Sequence, residues 1–102
     1  MRFEDYQKEA GTTALYPNRL RNIEYPVLGL TGEAGEVANI AKKIQRDFDG
    51  KLTDELRGRL KEELGDVLWY ISACADELGL TLQEIAECNI IKLAKRHKTS
   101  NA

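Results

Sequence analysis

Two pairs of carboxylates are distinctive in this sequence because the members of each pair are three residues apart. Glu33 and Glu36 form one pair, and Glu63 and Asp66 form the other. On a helix, residues at this spacing share a face, with side-chain roots about 5–6 Å apart. The pairs are symmetric about residues 49–50, so a chain that folds back there would bring all four acids to one level. Such a cluster requires a cation, because unpaired carboxylates repel one another.

The type of ligand atom limits the choice of cation. Carboxylate oxygens without a nearby histidine favour Mg²⁺, Mn²⁺ or Ca²⁺ over Zn²⁺. A di-iron bundle would instead need Glu-x-x-His motifs, and the one histidine of the chain, His97, follows Ala94 at that offset. The di-iron alternative is therefore disfavoured.

Helical periodicity of the apolar residues extends over most of the chain. It predicts helices over residues 3–15, 26–47, 54–78 and 82–96. No stretch alternates with period two, and no glycine-rich phosphate loop of a known type is present. The sequence therefore predicts an all-α fold with a four-helix core, in which an antiparallel helical hairpin carries two flanking helices. Its 102 residues are predicted to form a single domain over 1–102.

Apolar stripes and helix ends indicate how the hairpin is built. One stripe runs from Val27 to Phe48 and the other from Leu56 to Leu78. If these stripes face each other in an antiparallel pair, the acid pairs lie on the same side of the seam. Thr53 is the predicted N-cap of the third helix, Gly79 follows its last residue, and Thr81 begins a capping box for the fourth.

Three glycines interrupt the second helix, at Gly29, Gly32 and Gly35. Each costs about 0.5–1 kcal/mol relative to alanine in a helix interior. Two interpretations remain open at this point. The glycines permit a close helix contact, or they leave space for a ligand beside the acids.

The fourth helix places a polar residue among apolar ones. Asn89 falls in the middle of its apolar stripe, and Lys92 and Arg96 lie at the edge. A buried amide must be hydrogen-bonded, so Asn89 requires a partner or a ligand. The basic residues have a structural alternative, because cations are favourable near a helix C-terminus. A basic edge together with metal-binding acids would suit a polyphosphate.

Two aromatic residues and one lysine are further candidates for ligand contact. Trp69 is predicted to point away from the stripe of the third helix, as a subunit contact or as a stacking surface for a base. Tyr70 shares the flank of Glu63 and Asp66 and is a candidate pocket wall. Lys43 follows the first acid pair and is a candidate substrate contact, with a solvated charged face as the alternative.

Bulk composition excludes some classes of protein. A net charge of −2 gives no support to nucleic-acid binding driven by electrostatics. No apolar run approaches the ~20 residues of a membrane span, and the N-terminal residues do not resemble a signal peptide. A cytoplasmic protein without membrane or nucleic-acid partners is expected. Cys74 and Cys88 are expected to be buried, reduced thiols.

Taken together, these motifs carry a family resemblance. The two acid pairs, the segment Val67 to Tyr70 that follows the second pair, and the triplet Asn89, Lys92 and Arg96 resemble the MazG-like all-α nucleoside triphosphate pyrophosphohydrolases. The resemblance extends from about Phe3 to His97.

The resemblance implies both an assembly and an activity. It implies a dimer or tetramer in which Glu33, Glu36, Glu63 and Asp66 hold Mg²⁺. The implied reaction cleaves a nucleoside triphosphate between its α- and β-phosphates, giving a monophosphate and pyrophosphate, with nucleotide-pool housecleaning as the biological role. The triplet on the fourth helix is implied to contact substrate, in one arrangement across a subunit interface.

The expected mechanism is metal-assisted hydrolysis, with Mn²⁺ as an alternative ion and Glu33 or Glu36 as the carboxylate that accepts a proton from water. Two rival hypotheses remain. In one, the chain is a non-catalytic helical oligomerisation or interaction module, and its acid pairs decorate the surface. In the other, it is a helical phosphohydrolase that removes a different leaving group.

Overall fold

The structure is a computed structural model that describes residues 1–100, with side chains described for residues 1–98. This part of the chain contains helices and no strand. The helices are α1 (Phe3–Gly11), α2 (Glu24–Asp47), α3 (Asp54–Leu78) and α4 (Leu82–Ser100). The predicted all-α architecture is therefore confirmed for residues 1–100. None of these helices combines the length and apolar character needed to cross a membrane.

Helices α2 and α3 form the central hairpin, and α1 and α4 pack on α3 and on each other. The chain reverses at Asp49 and Gly50, which have φ values of 53° and 76°. This left-handed backbone suits glycine, and among other residues it is tolerated best by Asp and Asn. The N–H of Gly50 donates to the Ile44 carbonyl at 3.0 Å and closes the end of α2. The predicted turn is thus confirmed.

Both ends of α3 are formed as the sequence predicts. The Thr53 hydroxyl oxygen accepts a hydrogen bond from the N–H of Leu56 at 3.2 Å. Gly79 adopts a φ of 67°, and its N–H donates to carbonyls in the last turn of the helix. Thr81 then caps α4, because its hydroxyl oxygen accepts from the N–H of Glu84 at 3.0 Å.

The predicted ends of the other helices are less accurate. Helix α1 ends at Gly11 instead of residue 15, because the hydroxyls of Thr12 and Thr13 donate to carbonyls in its last turn. Helix α2 begins two residues before Pro26, which lies in its first turn. Helix α4 continues to Ser100, past the predicted end near residue 96, since no glycine or proline follows to stop it.

The contact face of α2 is rotated away from the predicted stripe. Ile40 is buried and Glu33 is half-buried, whereas Val27 is 45% exposed and Ala34 is also exposed. On α3, Leu64 is 55% exposed. The two stripes therefore do not meet along their centres, although Leu30, Val37 and Ile44 of the first stripe are half-buried. The hairpin packs through the flank that carries Glu33, and one edge of the apolar surface is left uncovered.

The connector between α1 and α2 is anchored to the C-terminal end of α3 by Glu77. The carboxylate of Glu77 accepts hydrogen bonds from the Tyr16 hydroxyl at 2.5 Å and from the N–H groups of Leu20 and Asn22 at 2.6 and 2.5 Å. The ring of Tyr16 stacks on that of Tyr25, with centroids 4.8 Å apart. The connector is thereby held against α3, and it covers one side of that helix.

Helix α4 leaves much of its apolar surface uncovered. Ile90 and Ile91 are 64% and 68% exposed. Asn89 is also exposed, which corrects the expectation that it is buried, because the covered part of α4 ends at Ala86 and residues 87–98 are all exposed. Cys88 is exposed for the same reason, and the expectation that this thiol is buried is wrong, while Cys74 is half-buried. The radius of gyration is 16.6 Å, against about 13 Å for a compact domain of 100 residues.

Candidate metal centre

Three carboxylates from the two central helices meet in one cluster, which we call the acid triad. Glu33 comes from α2, and Glu63 and Asp66 come from α3. Each offers one oxygen, and these oxygens lie within 4.8 Å of one another. Glu33 and Glu63 are half-buried, while Asp66 is exposed. The hairpin therefore gathers three of the four predicted acids.

The fourth acid, Glu36, lies outside the triad. It is exposed, one turn further along α2 toward the hairpin turn, and it lines a neighbouring cavity that Glu63 also lines. The expected cluster of four acids is therefore found as a triad with Glu36 beside it. The cause is the rotation of α2, which turns Glu33 into the helix contact and leaves Glu36 at its edge.

The surroundings of Glu33 disfavour its ionised form. Desolvation, followed by the negative charge of Asp66 and a hydrogen bond shared with Glu63, raises the pKa of the Glu33 carboxyl, and Glu36 adds to the effect. A raised pKa means that the ionised cluster is unfavourable without compensation. A bound cation would remove this penalty.

The geometry of the triad is suitable for a small, hard cation. Mg²⁺ binds oxygen at about 2.0–2.1 Å, so two ligand oxygens on opposite sides of the ion lie about 4.2 Å apart. The oxygens of the triad lie within 4.8 Å of one another, so a small contraction of the cluster would bring all three around one ion. All three donors are carboxylates, and no histidine or cysteine belongs to the cluster. The residues present therefore fit Mg²⁺ or Mn²⁺ better than Zn²⁺.

An aromatic cavity opens on one side of the triad. Its volume is about 300 Å³, and it is lined by Thr13, Glu33, Asp66, Trp69 and Tyr70. The rings of Trp69 and Tyr70 meet edge to face, with centroids 5.0 Å apart. Tyr70 thus forms a wall beside the acids, as its position on the helix flank indicated.

The placement of Trp69 differs from the sequence prediction. Instead of pointing away from its own subunit, its side chain packs against Ala14, Tyr16 and Ala73. Its indole Nε1–H donates to the Thr13 hydroxyl oxygen at 2.8 Å. The connector that follows α1 covers this side of α3, so Trp69 is half-buried within one chain. Thr13 was missed in the sequence because no motif marks it, and only the folded connector brings it to the cavity.

Gly29 allows α2 to approach the ring of Tyr70 closely at the aromatic cavity. A Cβ at this position would overlap the ring of Tyr70, whereas nothing lies within 4 Å of the corresponding positions at Gly32 and Gly35. Burial raises the pKa of the Tyr70 hydroxyl, with further contributions from Tyr25, Glu33 and Asp66. The phenol therefore remains neutral at physiological pH, available as a hydrogen-bond donor.

A second cavity, the basic cavity, opens on the other side of the triad. Its volume is about 270 Å³. Four cationic side chains line it together with Glu36, Asn39, Ile40 and Glu63, and these cations are Lys42, Lys43, Arg46 and Arg59. The structure thus places Lys43, a candidate substrate contact in the sequence, in a cavity that adjoins the acids, and adds Arg59, which the sequence analysis did not identify.

Helix α4 does not bring its polar residues to this site within one chain. Asn89 and Lys92 line a separate cavity with Leu80 and Cys88, and Arg96 lies one turn beyond Lys92. In the described part of the chain, α4 makes no contact with α2. One subunit therefore carries the acids and the α4 residues on different surfaces.

Comparison with known proteins gives the class of protein. Residues 22–100 match the model of the MazG nucleotide pyrophosphohydrolase domain, and the chain belongs to this family. It is also similar to the Gene 37 protein of Mycobacterium phage L5, with 43% identity over 101 residues, covering 94% of this chain and 89% of that protein. No solved structure matches the chain. The matched range includes both acid pairs and all of α2 and α3.

Proposed function

We propose that this protein is a Mg²⁺-dependent nucleoside triphosphate pyrophosphohydrolase that converts (d)NTPs to (d)NMPs and pyrophosphate. The observation that carries the proposal is the acid triad, in which Glu33, Glu63 and Asp66 converge from two helices. Membership of the MazG family supports the reaction class. Removal of unwanted nucleotides from the cytoplasmic pool is the biological role that we propose.

Each acid has a defined part in this proposal. Glu33, Glu63 and Asp66 would hold Mg²⁺, or Mn²⁺ in its place, and Glu36 would complete the site from the edge of the basic cavity. The bound ion would neutralise charge on the phosphate oxygens and lower the pKa of a water molecule. We assign acceptance of the proton of that water to Glu36, because it is exposed and lies outside the triad, with Glu33 as the alternative acceptor.

The neighbouring cavities provide surfaces for substrate. The rings of Trp69 and Tyr70 would bind the base by stacking, an interaction that any base can make through its π-face. Lys43 would bind phosphate oxygens, since it lines the cavity adjoining the acids. These contacts orient the triphosphate so that the bond to be cleaved lies at the triad.

A homodimer or homotetramer is part of the proposal. Large apolar side chains remain exposed on α2 and α4, including Leu28 at 71% and Ile91 at 68%. Exposed apolar side chains in this number favour a subunit interface. Because Asn89, Lys92 and Arg96 lie away from the acids of their own chain, we propose that they contact substrate bound to another subunit.

The second candidate function is a non-catalytic helical oligomerisation or interaction module. The exposed apolar face of α4 favours it, since such a face would also serve a purely structural assembly. The two candidates differ in their need for metal. An interaction module would not need Mg²⁺, and the acid triad would then be a group of surface carboxylates without a functional role.

The test is pyrophosphate release from the four dNTPs, measured separately with Mg²⁺ and with EDTA. We expect release only with Mg²⁺ and its loss in Asp66→Asn, while Glu62→Gln, an exposed acid on the same helix, keeps wild-type activity. Glu62 is a matched control because it lines neither the aromatic nor the basic cavity. Absence of metal-dependent release from every dNTP and rNTP would favour the interaction module.

A further inference from the structure

We infer that a nucleotide binds along the hairpin in one direction, with its base in the aromatic cavity and its β- and γ-phosphates in the basic cavity, where Arg59 and Lys43 hold them. The inference rests on the proposed function and goes beyond it, because it makes Arg59 a determinant of specificity for triphosphates. It also identifies the basic cavity as a binding site for pyrophosphate itself.

The two cavities lie on opposite sides of the acid triad. The aromatic cavity includes Glu33 and Asp66 in its wall, and the basic cavity includes Glu63. On α3, Tyr70 follows Asp66 by one turn and Arg59 precedes Glu63 by one turn. Eleven positions separate Tyr70 from Arg59, about 16 Å along a helix axis, with the triad between them. A ligand that contacts both ends must therefore pass the acids.

The two ends differ sharply in charge. Four cationic side chains and two carboxylates line the basic cavity, so its lining carries a net charge of +2. Two carboxylates and no cation line the aromatic cavity. Phosphate oxygens are stabilised by Lys and Arg, whereas bases stack on aromatic rings. The opposite direction would put two phosphates against uncompensated acids and a base among cations.

Among the four cations, we assign anion binding to Arg59 and Lys43, since Lys42 also lines a separate cavity with Ala41 and Gln45. The guanidinium of Arg46 already forms two hydrogen bonds with the Asp47 carboxylate, at 2.9 and 3.0 Å. Neither Arg59 nor Lys43 forms an ion pair within 4.0 Å among the described side chains. Lys43 is half-buried at the edge of the cavity. Arg59 has the planar group that binds two phosphate oxygens together.

A specificity follows from this arrangement. A monophosphate bound in the aromatic cavity does not reach the basic cavity, whereas a triphosphate occupies both. Pyrophosphate, which has no base, should bind in the basic cavity alone. Substitution of Arg59 should therefore weaken pyrophosphate and triphosphate binding and spare monophosphates.

The experiment measures binding by isothermal titration calorimetry in the presence of Mg²⁺. The probes are inorganic pyrophosphate and each of the four dNMPs, and the variants are Arg59→Gln, Lys43→Gln and Arg57→Gln. Arg57 is a matched control, because it is an exposed arginine on the same helix that does not line the basic cavity. We expect Arg59→Gln and Lys43→Gln each to raise the Kd of pyrophosphate about tenfold, the effect of a lost charged hydrogen bond. The Kd of the tightest dNMP should stay within about twofold, and Arg57→Gln should change neither value.

The inference is overturned if wild-type protein does not bind pyrophosphate. It is equally overturned if Arg59→Gln and Lys43→Gln leave its Kd unchanged, or weaken the dNMP to the same extent. These results are separate from the outcome for the proposed function. Pyrophosphate binding that depends on Arg59, in a protein without turnover, would refute the hydrolase and leave the anion site. Turnover that is unaffected by substitution of Arg59 would support the hydrolase and refute the assignment of Arg59 to the anion site.

Discussion

The ring of Tyr70 occupies the space that a side chain at Gly29 would need. This relationship answers, for one glycine of α2, the question that the sequence left open. Gly29 permits a close contact between the hairpin helices, whereas Gly32 has open space where its side chain would be. The contact also fixes the position of Tyr70 beside Glu33 and Asp66.

Gly29→Ala should destabilise the protein, because the new methyl group forces the Tyr70 ring to move. Overpacking of this kind costs about 1–3 kcal/mol. Gly32→Ala is the matched control and should stabilise α2 by about 0.5–1 kcal/mol, since alanine is the better helix former. The free energy of unfolding in urea measures both. Equal effects of the two substitutions would contradict the contact.

Asp66→Asn should abolish the stabilisation that Mg²⁺ provides. A ligand at one hundred times its Kd stabilises the native state by about 2.7 kcal/mol, and 1 kcal/mol shifts the Tm of a domain this size by about 4–8 °C. Without metal, the variant should be no less stable than wild type, because removing the Asp66 charge relieves repulsion of Glu33. Thermal denaturation with and without Mg²⁺ measures both effects, with Glu62→Gln as control. An unchanged Mg²⁺ shift in Asp66→Asn would remove it from the proposed ligands.

Stability should fall in acid because of Glu77. Burial opposes its ionisation, but hydrogen bonds from Tyr16, Asn22 and Leu20, with the charge of Arg19, outweigh burial and lower the pKa of the Glu77 carboxyl below 4.5. The unfolded chain then binds more protons than the native state at low pH. The stabilisation is therefore complete well above pH 4.5 and is lost as the pH falls through the lower native pKa.

Urea unfolding at a series of pH values between 7 and 3 tests this prediction. Glu77→Gln should be less stable than wild type at pH 7, and the difference should shrink as the pH falls. Glu62→Gln, which removes an exposed acid of the same helix, should run parallel to wild type throughout. A constant difference between Glu77→Gln and wild type at every pH would show that the native pKa of Glu77 is not lowered.

Sites shared between subunits should permit complementation. Asp66→Asn and Lys92→Gln should each be inactive alone, but mixed oligomers should regain activity, because one site then combines intact acids with an intact Lys92 from the other subunit. Dissociation, mixing and reassembly, followed by a dNTP turnover assay, measures this. Light scattering should show a dimer or tetramer. No recovery in a verified mixed oligomer would place Lys92 outside the site or within its own subunit's site.

Local signals in the sequence were sufficient for the hairpin and for the three acids of the triad. The turn at Asp49 and Gly50 and the cap at Thr53 depend on neighbouring residues only, and they fix the level of each acid along its helix. The rotation of α2 about its axis could not be predicted from neighbouring residues. A stripe from Val27 to Phe48 does not distinguish the face that packs within a chain from a face that remains exposed in one subunit. Glu36 was therefore placed with the triad instead of at its edge.

Contacts distant in sequence account for the other differences. Trp69 is covered by the connector after α1 and donates a hydrogen bond to Thr13, which lies 56 positions earlier in the chain. No local sequence pattern indicates that the connector packs there. Asn89 was expected to be buried because its neighbours on α4 are apolar. In one subunit no other helix of the described chain covers this part of α4. The residues around Asn89 are apolar as the pattern indicated, but they are exposed and not part of the core.

Identification of the products formed from a single dNTP with Mg²⁺ tests the central proposal most directly. Phosphorus NMR or ion-exchange chromatography separates monophosphate, diphosphate, phosphate and pyrophosphate. We expect monophosphate and pyrophosphate in equal amounts, and no turnover when Asp66 is replaced by Asn. Diphosphate and phosphate as products, or full activity of Asp66→Asn, would contradict cleavage at the acid triad.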